Sequence, residues 1–281
     1  MPEGDTVWRA CKRLNQALAG QELARTDFRI PALATTDLSG RTMIEVVARG
    51  KHILMRISGG LTLHSHFRMD GSWHLYRPGE RWHGGPDHQI RAVLETAPWT
   101  AIGYRLPVLE LVATDDEDSV VGHLGPDLLS PAFDRSVAIA NVGSVPERTI
   151  SEALLDQRNL AGIGNFYRIE VCFLLGLHPW RPVADVDVAA AVDLSRKLLK
   201  LNVRNGTQVS TGVDRPGQRS WVFERGGKPC RRCGTTIRTG ELGEPTRQRI
   251  TYWCPACQPQ TRRPQTRQPQ TRRPEAGQPE A

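Results

Sequence analysis

Cys230-Arg231-Arg232-Cys233 and Cys254-Pro255-Ala256-Cys257 decide how the last third of this chain folds. They are two Cys-x-x-Cys pairs with about 20 residues between them. Each pair offers two thiolates from a tight knuckle, and the intervening residues can form a hairpin. This spacing fits a tetrahedral zinc site, so Cys230, Cys233, Cys254 and Cys257 are expected to hold one structural Zn2+. Four thiolates leave no open position for water, so the ion would supply folding energy rather than reactivity. Between the pairs, Gln248-Arg249-Ile250-Thr251-Tyr252-Trp253 puts Arg249 on the hairpin, where it can reach a phosphate. A solvated surface arginine is the plain alternative.

Upstream of the cysteines, residues 207–220 are polar and aperiodic and read as a mobile loop, either a lid over a substrate or a plain connector. Residues 148–205 read as helical. Thr149-Ile150-Ser151-Glu152 fits a capping box, and Asn159-Leu160-Ala161-Gly162-Ile163-Gly164-Asn165 separates it from an apolar helix over 166–175. Two glycines between helices make a tight turn whose amides form a ready anion site, although such turns are more often purely structural. A third helix spans 186–201.

The N-terminal part reads differently. Residues 5–20 form an amphipathic helix, with Asp5 as its N-cap. Short alternating runs follow at 43–47, 52–57, 61–66, 72–76, 90–95 and 108–113, separated by Gly, Pro and Asp clusters. Strands at this spacing argue for a sandwich or barrel. At the C-terminus, Pro-Gln-Thr-Arg recurs at 259–262, 264–267 and 269–272 in a segment that cannot bury a core, so 259–281 is expected to be a disordered basic tail.

With 281 residues the chain is long enough for two domains, and its net charge of +7 favours a polyanionic partner, nucleic acid first. No run of about 18 apolar residues is present, so no membrane span is expected. Without a recognisable signal sequence the chain is expected in the cytosol, where disulfides are rare. Cys11 and Cys172 lie in apolar helical patterns and read as ordinary buried residues.

The start, Met1-Pro2-Glu3-Gly4, carries the chemistry. Once Met1 is removed, Pro2 becomes a terminal secondary amine. An α-amino group titrates near ~8, against ~10.4 for lysine, so a sizeable share is free to attack carbonyl-like carbon at neutral pH. Such an amine forms a charged iminium directly, and the neighbouring Glu3 can move protons around that step. A frayed, functionless terminus is the bland alternative.

Together, the Pro-Glu-Gly start, the β-rich N-terminal part, the Gly-Ile-Gly-Asn turn and the four-cysteine hairpin resemble the formamidopyrimidine-DNA glycosylase / endonuclease VIII family over about residues 2–257. The resemblance implies an α+β fold. Residues 2–124 would be an N-terminal helix with a β-sandwich, and 125–147 a linker. Residues 148–224 would be a helix-two-turn-helix domain carrying the 207–220 loop, and 225–258 a zinc finger. It implies a bifunctional DNA glycosylase and abasic-site lyase of base excision repair. Pro2 would be the Schiff-base nucleophile and Glu3 the proton donor and acceptor. Lys51 and Arg249 would hold phosphates during β- and δ-elimination, Asn165 would grip a phosphate, and His66 would add a weaker contact.

A lesion inside a duplex must be flipped out, and a wedge must fill its place. His66-Phe67-Arg68-Met69-Asp70-Gly71 resembles the family's intercalating loop, with Met69 as wedge and Arg68 toward the partner base. Core packing of Met69 at a turn is the alternative. Gly4 matches the endonuclease VIII branch and favours oxidised pyrimidines. Asp5 departs from the proline often found there, and Asp70 departs from larger wedge residues. The expected partner is damaged duplex or single-stranded DNA, and the expected state is a nucleoid-associated, cytoplasmic monomer. A noncatalytic DNA- or RNA-binding protein that retains the fold is the alternative.

Overall fold

The structure, a computed structural model, describes residues 2–243 and 248–260. Helix α1 (Gly4–Leu18) buries Val7, Ala10, Cys11, Leu14, Ala17 and Leu18, the stripe expected from its spacing. Asp5 is not the N-cap. Glu3 takes that position, and Asp5 lies buried within the first turn.

Eight strands follow: β1 (Arg25–Phe28), β2 (Met43–Arg49), β3 (His52–Ile57), β4 (Leu61–His66), β5 (Ser72–Tyr76), β6 (Ile90–Glu95), β7 (Thr100–Tyr104) and β8 (Val108–Ala113). They form two four-stranded antiparallel sheets, ordered β1-β6-β7-β5 and β2-β3-β4-β8. Ile53, Met55 and Leu63 of one sheet join Trp73, Ala92, Leu94 and Ala101 of the other, with α1, in one core. Each fully buried Leu or Ile there contributes ~1.5–3 kcal/mol.

A short helix α2 (Asp118–Val121) closes this half. The span read as a linker contains a further helix, α3 (Arg135–Gly143), capped by Asp134. Next come α4 (Ile150–Leu155), α5 (Asn165–Leu174) and α6 (Val188–Asn205). Half of the capping box forms: Thr149 Oγ1 accepts from Glu152 N–H at 3.3 Å, while the Glu152 carboxylate accepts from the Thr149 hydroxyl at 2.6 Å. Gly206 ends α6 in the left-handed region at φ 83°. The last element is a hairpin of β9 (Arg238–Leu242) and β10 (Arg249–Trp253), with Arg249 opposite Leu242. It packs through Ile237 and Cys254 against Ile169 and Phe173 of α5 and Val222. The tail beyond residue 260 lies outside the described residues.

Candidate active site

Glu3 has no solvent exposure. Its carboxylate is seated on the turn before α5. Gly164 N–H donates to Oε2 at 2.6 Å, and Phe166 N–H donates to Oε1 at 2.7 Å. The Gly-Ile-Gly-Asn turn is therefore an anion site, but the anion it holds is the chain's own Glu3. Two glycines make the fit possible. A Cβ on Gly164 would lie 2.5 Å from Glu3 Cδ, and one on Gly4 would lie 2.9 Å from Gly162 Cα. Gly4 N–H also donates to the Gly162 carbonyl at 2.8 Å. These contacts fasten the first residues of the chain to its helical half and leave Pro2 half-buried beside them.

Lys51 arrives at the same point from the β2–β3 turn. Gly50 has φ 59°, and its N–H donates to Asp127 Oδ2 at 2.8 Å. Burial pushes the Glu3 carboxyl up to about 7, while the Lys51 charge and the two N–H donors pull it back. Burial pulls Lys51 down to about 8; Glu3 opposes that fall and Arg249 adds to it. Lys51 thus feels both Glu3 and Arg249, although the three come from the N-cap of α1, a hairpin turn and β10.

Arg249 is exposed on β10. An open groove of about 960 Å³ runs between it and Arg68, lined also by His123, Arg148, Arg158 and Gln248. The His66 ring meets His52 edge to face at 4.8 Å, and its Nδ1 accepts from Arg68 N–H at 2.8 Å. Burial, then the Lys51 and Arg68 charges, hold His66 down to about 4, so it is neutral at physiological pH. Arg68 adopts φ 46°, and Met69 is 54% exposed, so this methionine is not core packing. Arg105 Nε braces the loop through the Asp70 carbonyl at 3.1 Å. A second pocket of about 500 Å³ opens beside Pro2 and is lined by Thr6, Arg13, Phe67, Ser72 and His74.

Asn165 sits between α5 and the hairpin. It is 9% exposed, and its Nδ2 donates to the Ile250 carbonyl at 3.0 Å. Its Oδ1 accepts from Arg168 Nε at 3.0 Å and Nη2 at 2.5 Å. Arg168, wholly buried, also donates to Thr251 Oγ1 at 3.3 Å. Asn165 and Arg168 therefore tie α5 to the hairpin that carries Arg249.

The four sulfurs of Cys230, Cys233, Cys254 and Cys257 lie within 4.8 Å of one another and could hold one metal ion. Cys11 and Cys172 are buried, as their helical pattern implies.

Sequence reasoning missed Asp127, Arg168 and Glu170. The last two had a signal, since they are charges inside an apolar helical run. Asp127 had a weaker one, as an Asp after Pro at the start of a connector.

A two-sheet sandwich and a helical half, meeting around a carboxylate on a Gly-x-Gly turn and braced by a four-thiol hairpin, define a class of protein. Residues 1–105 match the model of the formamidopyrimidine-DNA glycosylase N-terminal domain, and residues 124–211 match the formamidopyrimidine-DNA glycosylase H2TH domain. The chain is 55% identical over 261 residues to the probable endonuclease 8 2 of Streptomyces coelicolor, covering 92% of this chain and 94% of that one. It is 44% identical over 259 residues to the DNA-(apurinic or apyrimidinic site) lyase Nei2 of Mycolicibacterium smegmatis, covering 92% and 99%. The Lactococcus lactis Fpg in complex with DNA containing an abasic site shares the fold, with a TM-score of 0.77 at 23% identity over 92% of this chain and all of that one. The chain belongs to the formamidopyrimidine-DNA glycosylase / endonuclease VIII family.

Proposed function

We propose that this chain is a bifunctional DNA glycosylase and abasic-site lyase of base excision repair, with oxidised pyrimidines as its favoured substrates. The observation that carries the reading is the seat of Glu3. A carboxyl held up to about 7 by burial sits next to Pro2, faces Lys51 and is oriented by two N–H groups. Such a group can both give and take a proton near neutral pH. The names of the relatives, endonuclease 8 and abasic-site lyase, support the same reading.

In this reading the Pro2 nitrogen, freed by loss of Met1, attacks C1′ with its lone pair. The base leaves with the glycosidic electron pair and takes up the proton that the Pro2 nitrogen sheds on bonding to C1′. The C1′–O4′ bond then opens, O4′ takes a proton from Glu3, and C1′ is left as an iminium. Loss of a C2′ proton to a base and departure of the 3′ phosphate complete β-elimination. A second elimination releases the 5′ phosphate. Lys51 and Arg249 hold the phosphates, while Arg68, Met69 and His66 occupy the strand-facing loop. The pocket beside Pro2 has room for an extruded base.

The four thiols fit zinc. Thiolates about 2.3 Å from one Zn2+ stand about 3.8 Å apart in a tetrahedron, and the Cys233–Cys254, Cys233–Cys257 and Cys230–Cys257 separations are 3.4, 3.5 and 4.0 Å. When bound, the ion supplies structural support only. Cys230 and Cys233 would hold it from one knuckle and Cys254 and Cys257 from the other. The domain limits given above, with 125–147 joined to the helical domain through α3, a monomeric state and a cytoplasmic, nucleoid-associated location belong to the same reading. Among the described residues, no helix is long and apolar enough to cross a membrane.

Borohydride trapping tests the proposal. Zinc-loaded protein lacking Met1 should form a covalent complex with abasic duplex DNA, and Pro2→Gly should lose it. Absence of a trapped complex from the wild type would overturn the reading.

A further inference from the structure

Asp5 follows Glu3 by two residues, and its carboxylate is sealed from water. A buried carboxylate in a helix is costly unless it is paired. Oδ1 accepts from Gln208 Nε2 at 3.2 Å. Oδ2 has no hydrogen-bond partner, and Arg9 Nη1 stands 3.4 Å from it. That same Nη1 donates to the Asn202 carbonyl at 2.7 Å. Asn202 Nδ2 donates to the Tyr167 hydroxyl at 2.8 Å, and its Oδ1 accepts from Val209 N–H at 3.2 Å. Two residues of α1, one each of α5 and α6, and the first residues of the 207–220 loop thus form one buried polar circuit.

The loop itself is braced from within. Ser210 N–H donates to the Arg219 carbonyl at 2.8 Å, and Asp214 takes hydrogen bonds from Thr207 Oγ1 at 2.8 Å and Arg219 Nε at 2.7 Å. A loop braced in this way keeps its shape as one flap, and its attachments decide where it sits. Its attachments to the C-terminal half include the Val209 N–H bond to Asn202 Oδ1 and the Trp221 Nε1–H bond to the Ser210 carbonyl. Ser210 and the amides of Trp221, Val222 and Phe223 bind Glu170, and Arg231 donates to the Gly217 and Ser220 carbonyls. Among the described residues, the Gln208 side chain is the loop's hydrogen-bonded link to the turn that carries Pro2 and Glu3.

We propose that Asp5 is a positioning residue: through Gln208 it latches the 207–220 flap to the first turn of α1, so that the flap closes over an extruded oxidised pyrimidine in register with Pro2. The inference rests on the glycosylase and lyase reading and deepens it. It also explains why an acid stands at position 5, since a side chain without an acceptor could not hold Gln208. The latch matters when a base has to be held for displacement. An abasic sugar offers the flap nothing to cover, so the latch is idle in the lyase step.

The test compares two substrates. Single-turnover excision is measured on duplexes carrying thymine glycol, dihydrouracil or 5-hydroxyuracil, and borohydride trapping is measured on a preformed abasic duplex. Gln208→Glu sets two carboxylates against each other and should slow excision by about tenfold, which corresponds to roughly 1.4 kcal/mol, with the loss in kcat rather than KM. Trapping on the abasic duplex should change by less than about twofold, since it lies outside the latched step. Gln208→Ala should fall between Gln208→Glu and wild type. The double variant Asp5→Asn/Gln208→Glu should recover most of the excision rate, because the introduced amide donates to the introduced carboxylate. Equal losses on both substrates, no loss on either in Gln208→Ala, or no recovery in the double variant would overturn the latch. A wild type that nicks abasic DNA but excises none of the three bases would sink the latch and leave the lyase reading intact. A wild type that never traps would remove both.

Discussion

Glu3 and Glu170 are both wholly buried, and both lean on backbone N–H groups. Glu3 accepts two, at the turn before α5. Glu170, inside α5, accepts three, from Trp221 at 2.8 Å, Val222 at 2.9 Å and Phe223 at 2.8 Å, and a fourth bond from Ser210 Oγ. Burial raises both carboxyls, and donated hydrogen bonds lower both. The difference is what else reaches them. Glu3 feels the Lys51 charge and adjoins the half-buried Pro2, so its proton has somewhere to go. Glu170 is surrounded by donors from residues 210–223. In the proposed reading one carboxylate serves the chemistry and the other holds the chain, although burial alone would not distinguish them.

Substitution of each acid is the sharpest way to break this comparison. Glu3→Gln should lower single-turnover lyase activity on abasic DNA by on the order of 10²- to 10⁴-fold, the usual worth of a positioned acid-base group, with the native circular dichroism spectrum kept. A loss of only a few-fold would remove Glu3 from the chemistry.

Metal removal strikes the other side. Chelation should release about one equivalent of zinc per chain and loosen the hairpin together with Val222, which packs with Cys230 and Cys254. DNA affinity should fall by roughly tenfold or more as Arg249 loses its position, since a phosphate contact depends on placement. Filter binding before and after chelation measures this, and unchanged affinity would argue that the hairpin does not touch DNA.

Glu170→Ala strands buried donors at a cost of ~1–3 kcal/mol each before relaxation. A net loss of about 3 kcal/mol, or roughly 5–10 °C in Tm for a chain of this length, is expected in calorimetry. Trapping on abasic DNA below that temperature should survive. If Glu170→Ala instead matched Glu3→Gln in lost chemistry at full stability, the division of labour would be wrong.

The smallest effect is in the pH profile. Glu3 is protonated below about 7 in the folded chain and below 4.5 when free. Its raised value therefore favours the folded state at low pH, and that contribution is lost as pH rises from 4.5 through about 7. In the proposed mechanism ring opening draws on the protonated form, so the lyase rate should decline on the alkaline side of about 7. The Asp5 charge helps hold Glu3 up, so Asp5→Asn should move that limb to lower pH by a fraction of a unit. A limb that stays in place would show that burial alone sets it.

Much of the fold was legible because periodicity is local. The strands over 52–57, 61–66, 72–76, 90–95 and 108–113 lie where alternation put them. The two missed strands fail for opposite reasons. β1, Arg-Thr-Asp-Phe, is a polar edge held by pairing with β6, and β7 is buried at every position, so neither alternates. Helix α3 hides in the presumed linker because its apolar face is weak, with Ala138 and Val142 as its buried residues. Asp5 looked like an N-cap because the residue type suits one, yet its side chain turned to Gln208 instead.

The sequence by itself supplied the groups on which the proposed chemistry rests: a proline and a glutamate at the start, a Gly-x-Gly turn, and four cysteines at a spacing that suits a metal site. These depend on covalent neighbours and on spacing along the chain, which a sequence records directly. Only the tertiary structure decided which partners meet. It seated Glu3 on amides more than 160 residues away, bonded Asn165 to the hairpin, and joined Asp5 to the loop. The seat of Glu3 rests on close approaches at Gly4 and Gly164, where a single Cβ would not fit, and no periodicity in the sequence encodes such a distance.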